Sequence, residues 1–174
     1  MKITMEEAPA LKDAIETVVS LVEEGVFEVN EEGIGLKAMD PSQISMVCFS
    51  MPKEMFSEYE AGENKRVGLD ISKLSKVLAR GNSGESVELA VDEGKLQVTF
   101  KGEKRKRVFR LPLLDLGEGL EREPKIEYKN KIKMQADSLR DVIRDAKLVS
   151  SHIGLVASPE KFKVEIKGDE GEIK

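Results

Sequence analysis

The chain has 174 residues, of which 35% are charged and 40% hydrophobic, with a formal net charge of −5; this is the balance of one ordinary water-soluble domain or two small ones. No apolar run approaches the roughly 18 residues of a membrane span, and "MKITMEEAPALKD" brings acidic side chains in too early for a secretory leader. The acidic sum argues against a protein that coats nucleic acid with its whole surface, though not against a local basic face.

In chain order, a short strand over Lys2–Met5 leads into "PALKDAIETVVSLV", whose Leu11, Ile15, Val18 and Val22 share one helical face. A hairpin follows with its reversal at "NEEG", and "GIGLKAMDPSQISMV" (residues 33–47) reads as strand, tight turn, strand. The second of these strands extends through "QISMVCFSM". Its single cysteine, Cys48, is expected to be a buried reduced thiol, which places the chain in a reducing compartment.

The pattern then starts again. Val67–Leu69 is a strand, and "ISKLSKVLARG" is a helix with Leu74, Val77 and Leu78 inward and a stop at Gly81. A hairpin turning at "DEGK" and a strand in "RVFRLPLL" complete the second copy. "DLGEGLEREPKIEY" lacks periodicity and reads as a linker. A third copy begins with a strand over Lys131–Met134. Its helix "ADSLRDVIRDAKLV" is expected to bury Leu139, Val142, Ile143 and Ala146 behind an Asp137 cap, and its hairpin turns at "SPEK".

The copies are in register. Leu11, Leu74 and Leu139 are 63 and 65 residues apart; Phe27, Leu89 and Leu155 correspond, and so do Leu36, Val98 and Val164. The unit is strand, helix and three-strand meander, which gives an α+β fold of repeated units with antiparallel sheets. Two units are expected to form one domain over residues 1–115, followed by a connector at 116–128 and an incomplete second domain at 129–174 whose meander breaks off at "GDEGEIK".

With this repeat order and linker in place, "GIGLKAMDPSQISMV" resembles the signature of the sliding-clamp family of proliferating cell nuclear antigen, archaeal type; "LPLLDL" and "DAKLVSSHIGL" resemble it at their expected places. The resemblance covers all 174 residues and about the first two-thirds of a typical clamp chain. It implies a DNA-clamp fold: a ring of three subunits with helices lining a central hole and sheets outside. Duplex DNA passes through that hole without being read. DNA polymerase, clamp loader, flap nuclease and ligase dock through short peptides with apolar anchors. The compartment implied is the archaeal cytoplasm, beside the nucleoid, or the nucleus if the source is eukaryotic.

Residue by residue, the resemblance places Lys12, Lys76 and Arg144 toward DNA. Helical spacing adds Lys73 and Arg80 to one basic stripe, and Arg140 and Lys147 to another. The client-peptide pocket is expected at Met39, Gln43, Ile44 and Met46 with Leu116 and Leu120 of the linker, where flexible Met suits varied clients. The dense basic run "EKRKRVFR" opens a strand over Arg105–Leu114 that resembles a subunit-contact edge, so Arg105, Arg107, Phe109 and Leu111 are assigned to the interface. A ring-closing partner strand would begin near Glu172, so a chain ending at Lys174 is expected to be mainly monomeric.

An enzyme reading finds little support. His152 stands alone, no Cys/His ligand set exists, and "GNSG" lacks the Lys-Ser/Thr ending of a phosphate loop. No catalytic residue, cofactor or metal is assigned. The alternative kept within the binding class is a shortened clamp relative, an accessory or inhibitory subunit that does not close a ring.

Overall fold

The computed structural model describes residues 1–117, 127–168 and 171–173. The chain divides into two compact units, Met1–Pro124 and Lys125–Lys174.

In the first unit, β1 (Lys2–Met5) and α1 (Ala8–Val19) precede the meander β2 (Glu24–Asn30), β3 (Gly33–Met39) and β4 (Met46–Pro52). A single turn at Lys53–Met55 and the short β5 (Glu58–Glu60) lead to the second copy. This comprises β6 (Lys65–Asp70), α2 (Ile71–Leu78), β7 (Ser86–Asp92), β8 (Lys95–Lys101) and β9 (Lys106–Pro112). Pro9 sits in the first turn of α1, where a missing N–H is harmless. α2 is capped by Asp70, whose side chain accepts from the Lys73 N–H at 2.7 Å. Leu11, Ile15 and Val18 of α1 and Ile71, Leu74 and Leu78 of α2 are all buried, as the periodicity required.

The two copies exchange their first strands. The sheets run β4-β3-β2-β6 and β5-β1-β7-β8-β9. β1 therefore completes the second copy's meander, with Ile3 opposite Leu89, and β6 completes the first's, with Val67 opposite Phe27. Neither copy closes a sheet by itself. Ile3, Leu36, Ile71, Leu78, Val98 and Phe100 are each at most 1% exposed in the shared core. The hairpin between β2 and β3 needs glycine at position 33: its φ is +151°, and a Cβ there would lie 2.2 Å from the Met51 carbonyl oxygen.

The second unit contains α3 (Ala136–Val149), β10 (Gly154–Ala157), β11 (Phe162–Gly168) and β12 (Gly171–Ile173), with sheet order β10-β11-β12. Its hairpin has the register of the other two. Phe27 faces Leu36, Leu89 faces Val98, and Leu155 faces Val164. Packing differs sharply, however. Phe27 and Leu89 are 5% and 7% exposed, whereas Leu155 is 63% exposed. Among the described residues of this unit, Ala146 of α3 and Ile166 of β11 are the buried apolar side chains, and Ile143, expected inward, is 36% exposed.

Three local expectations are corrected. Residues 131–134 form no strand. β1 and β6 each acquire their ladder from the other copy's meander, and among the described residues no such meander lies beside 131–134. Asp137 is not the cap of α3; Gln135 occupies that position without a side-chain capping bond, and Asp137 lies in the first turn paired with Arg140. Cys48 is exposed. Along β4 the pleat turns Val47, Phe49 and Met51 toward the core, which leaves Cys48 on the opposite face.

Candidate functional site

The tip of the β3–β4 hairpin is organised by one carboxylate. Asp40 Oδ1 accepts the backbone N–H groups of Ile44 at 2.9 Å and Ser45 at 2.7 Å. Oδ2 accepts the Ser42 N–H at 3.3 Å and the Ser42 hydroxyl. The Asp40 N–H in turn donates to the Ser45 carbonyl at 2.9 Å. The Ser42 hydroxyl, followed by the Ser45 N–H, holds the Asp40 carboxyl below its ordinary range. To let the chain wrap this acceptor, Gln43 takes a left-handed conformation, φ +57°. The wrap leaves the Ile44 side chain in solvent, 85% exposed. Met39 and Met46 pair across the hairpin just below the tip.

A shallow pocket lies beside this hairpin, and Gly25, Val26, Ala38, Met39 and Leu116 are among its lining residues. Leu116 reaches it because the chain leaving β9 runs along β6. The Leu113 N–H donates to the Gly94 carbonyl at 3.0 Å and the Leu114 N–H to the Gly68 carbonyl at 2.9 Å. Arg66 Nη2 donates to the Gly117 carbonyl at 3.3 Å. Met39 and Leu116, both expected in the pocket from sequence, thus meet there. Gln43 and Ile44 at the hairpin tip, and Met46 opposite Met39, stand outside the lining, and Leu120 lies outside the described residues. Sequence reasoning missed Arg66, Gly68 and Leu114. The available signal was a glycine inside the strand pattern "RVGLD", which marks a close backbone approach.

On α2, Lys73 and Lys76, with Arg80 just beyond the helix, lie on the side opposite Ile71, Leu74 and Leu78. Lys73 is hydrogen-bonded to Asp70 at 2.8 Å, which raises its pKa. Lys12 of α1 sits 3.5 Å from both Asp13 and Glu16. On α3, Arg140 pairs with Asp137 at 2.7 Å and Arg144 with Asp141 at 3.8 Å. Among the described residues, Lys76, Arg80 and Lys147 make no ion pair and are exposed. Exposed pairs of this kind contribute little to stability, so their cations can exchange a carboxylate for a phosphate at small cost.

β9 is an edge strand, paired among the described residues with β8 alone. Its side chains divide between the core and the outward face. Arg107 turns inward, 14% exposed at the side chain, and pairs with Glu85. It also donates to the Arg80 carbonyl at 2.8 Å and lies 4.9 Å over the Phe100 ring. Phe109 meets Phe100 edge to face at 6.0 Å, and Leu111 packs on the same core. The physical reason is the pleat: alternate residues of a strand covering a core must face it, and Glu85 supplies the counter-charge that lets an arginine do so. Arg105 is exposed just before the strand; Lys106, Val108 and Arg110 occupy the outward face. Among the described residues no group of three or more His, Cys, Asp and Glu could hold a metal, and no helix is long and apolar enough to cross a membrane.

A family model described as proliferating cell nuclear antigen, N-terminal domain, matches residues 1–118. The chain is 34% identical over 174 residues to a DNA polymerase sliding clamp of Thermococcus gammatolerans, covering 99% of this chain and 69% of that one. It is 39% identical over 160 residues to one of Methanococcus maripaludis, covering 91% and 63%. Among solved structures, A. fulgidus PCNA with the C-terminal region of FEN-1 bound superposes with a TM-score of 0.89 at 28% identity, over 99% of this chain and 69% of that one. PCNA from Thermococcus kodakaraensis gives a TM-score of 0.82 at 29% identity, over 99% and 70%. The chain thus spans about two-thirds of the length of these relatives.

Proposed function

The chain belongs to the proliferating cell nuclear antigen family, and from that membership we propose that it is a DNA sliding clamp of archaeal type. It takes part in a ring around duplex DNA and tethers polymerase, clamp loader, flap nuclease and ligase through short peptides. It acts as a scaffold without catalysis of its own, in the compartment that holds the replicating chromosome. The observation that carries this reading is the pocket joining Met39 of the hairpin to Leu116 of the connector, beside the Asp40-ordered tip.

The physical roles divide cleanly. An apolar peptide anchor gains burial against Met39 and Leu116, and a flexible methionine lets different anchors fit. The exposed cations Lys76, Arg80 and Lys147, with Lys12, Lys73, Arg140 and Arg144, attract phosphates without contacting base edges, and so permit sliding. The outward edge of β9 offers unpaired backbone groups to a neighbouring subunit's strand, with Arg105 and Lys106 guarding it against indiscriminate pairing. The trimeric ring of the family is the assembly proposed.

The test is fluorescence anisotropy with a labelled peptide from the C-terminal region of a flap nuclease. Saturable binding that an unlabelled copy reverses and a sequence-scrambled copy does not is the expected result. Equal binding of the native and scrambled peptides would overturn the docking role.

A further inference from the structure

Building on that docking site, we propose that Gly68 is its positioning residue: the missing side chain lets the segment 113–117 lie directly on β6 and thereby sets Leu116 in the pocket with Met39. β6 has β2 on one side. On the other, Leu114 approaches so closely that a Cβ on Gly68 would lie 2.1 Å from its carbonyl oxygen and 3.2 Å from its carbonyl carbon. The same Cβ would be 3.6 Å from Leu116 Cγ, and ordinary contact begins at about 3.4 Å. The colliding atoms are backbone and cannot rotate aside. Any side chain at 68 must push the segment off the strand.

Nothing else asks for glycine here. Gly68 is not among the residues with positive φ, so no turn requires it. A glycine within a strand weakens the strand unless a close approach needs the space. Leu113 and Gly117 are held by Gly94 and Arg66, but the Leu114–Gly68 bond is the one that immediately precedes Leu116. Gly68 touches no peptide; it acts through Leu116.

The experiment compares wild type, Gly68→Ala and Gly35→Ala. Gly35 lies in β3 of the same sheet, where a Cβ finds its nearest neighbour, the Phe49 carbonyl oxygen, at a comfortable 3.7 Å. Three readouts are taken: amide exchange at Leu114, the melting temperature, and affinity for the labelled flap-nuclease peptide. G68A is expected to expose the Leu114 N–H to exchange and to weaken the peptide by about tenfold or more while the melt is kept; G35A should change neither. If G68A melts early, Leu114→Pro decides, because it removes the N–H donated to Gly68 and leaves β6 intact. Weakened peptide binding by L114P supports the proposal, and retained affinity overturns it. Equal affinity of wild type and G68A overturns the role of Gly68 alone. A wild-type chain that protects Leu114 yet binds no peptide overturns the docking reading, and the role of Gly68 with it.

Discussion

Replacing Ile44 by aspartate should separate docking from folding. Burying an isoleucine side chain contributes about 1.5–3 kcal/mol, and Ile44 is 85% exposed. The fraction packed against the rest of the protein therefore accounts for at most about 0.5 kcal/mol, within the range of ordinary surface substitutions. For a unit of this size that moves the melting temperature by no more than about 3 °C. The same change at Ile34, which is 7% exposed in the core, would bury a carboxylate without a partner and cost several kcal/mol. Docking responds differently. If a client's apolar anchor closes over the hairpin tip, removing a side chain of hot-spot rank costs about 2 kcal/mol, or roughly thirtyfold in Kd. Thermal melts and peptide anisotropy on I44D, with I34D as the unfolding control, measure both. Peptide affinity within twofold of wild type would remove Ile44 from the docking surface. A melting temperature lowered by more than about 5 °C would mean that Ile44 is packed and not free.

Reversing Lys76 and Arg144 to glutamate should weaken retention on DNA equally for all sequences and flatten the salt dependence by about 0.9 log units for each phosphate no longer engaged; filter binding across a salt series measures it, and a base-sequence preference would contradict the mechanism. Gln43→Gly should raise stability by about 0.5 kcal/mol, since a left-handed φ is unfavourable for a side-chain-bearing residue and not for glycine; chemical denaturation checks it. Arg107→Met should lower the melting temperature at neutral pH by leaving Glu85 without its cation. The Glu85 carboxyl is held below its ordinary value by the Asn82 N–H and then by Arg107. Its contribution is therefore present above the ordinary pKa of 4.5 and lost as pH falls through the lower folded value. The stability gap between wild type and R107M should narrow in acid, and melts between neutral pH and about pH 3 would show it.

The hairpin registers were legible because a one-residue slip would turn every side chain of Phe27, Leu36 and their counterparts to the wrong face. The buried faces of α1 and α2 followed from spacing for the same reason. Strand exchange was not legible, because short strands such as β1 and β6 carry no mark of which meander accepts them. The same gap explains 131–134, whose apolar pattern describes a strand but cannot supply its neighbour. Arg107 misled because a charge in an edge strand ordinarily reads as solvent-facing, and its inward turn depends on Glu85, 22 residues earlier in the chain. Of the pocket, Met39 could be read from the signature around Asp40. Its closure by Leu116 depends on the bare backbone of Gly68, a single close approach that alternation does not encode.

The exchange of first strands also governs how the protein emerges from the ribosome. β1 is synthesised well before β7, yet its ladder with β7 places Ile3 opposite Leu89. At about 5–20 residues per second, the N-terminal segment waits several seconds before its principal partner exists. Ile3 and Met5, 1% and 4% exposed in the finished unit, remain uncovered during that interval. The first copy cannot finish early either, since its meander awaits β6. Ribosome-bound chains whose β7 and β8 have not yet cleared the exit tunnel should therefore engage holding chaperones and resist no protease, with protection arriving in one step once both strands are clear.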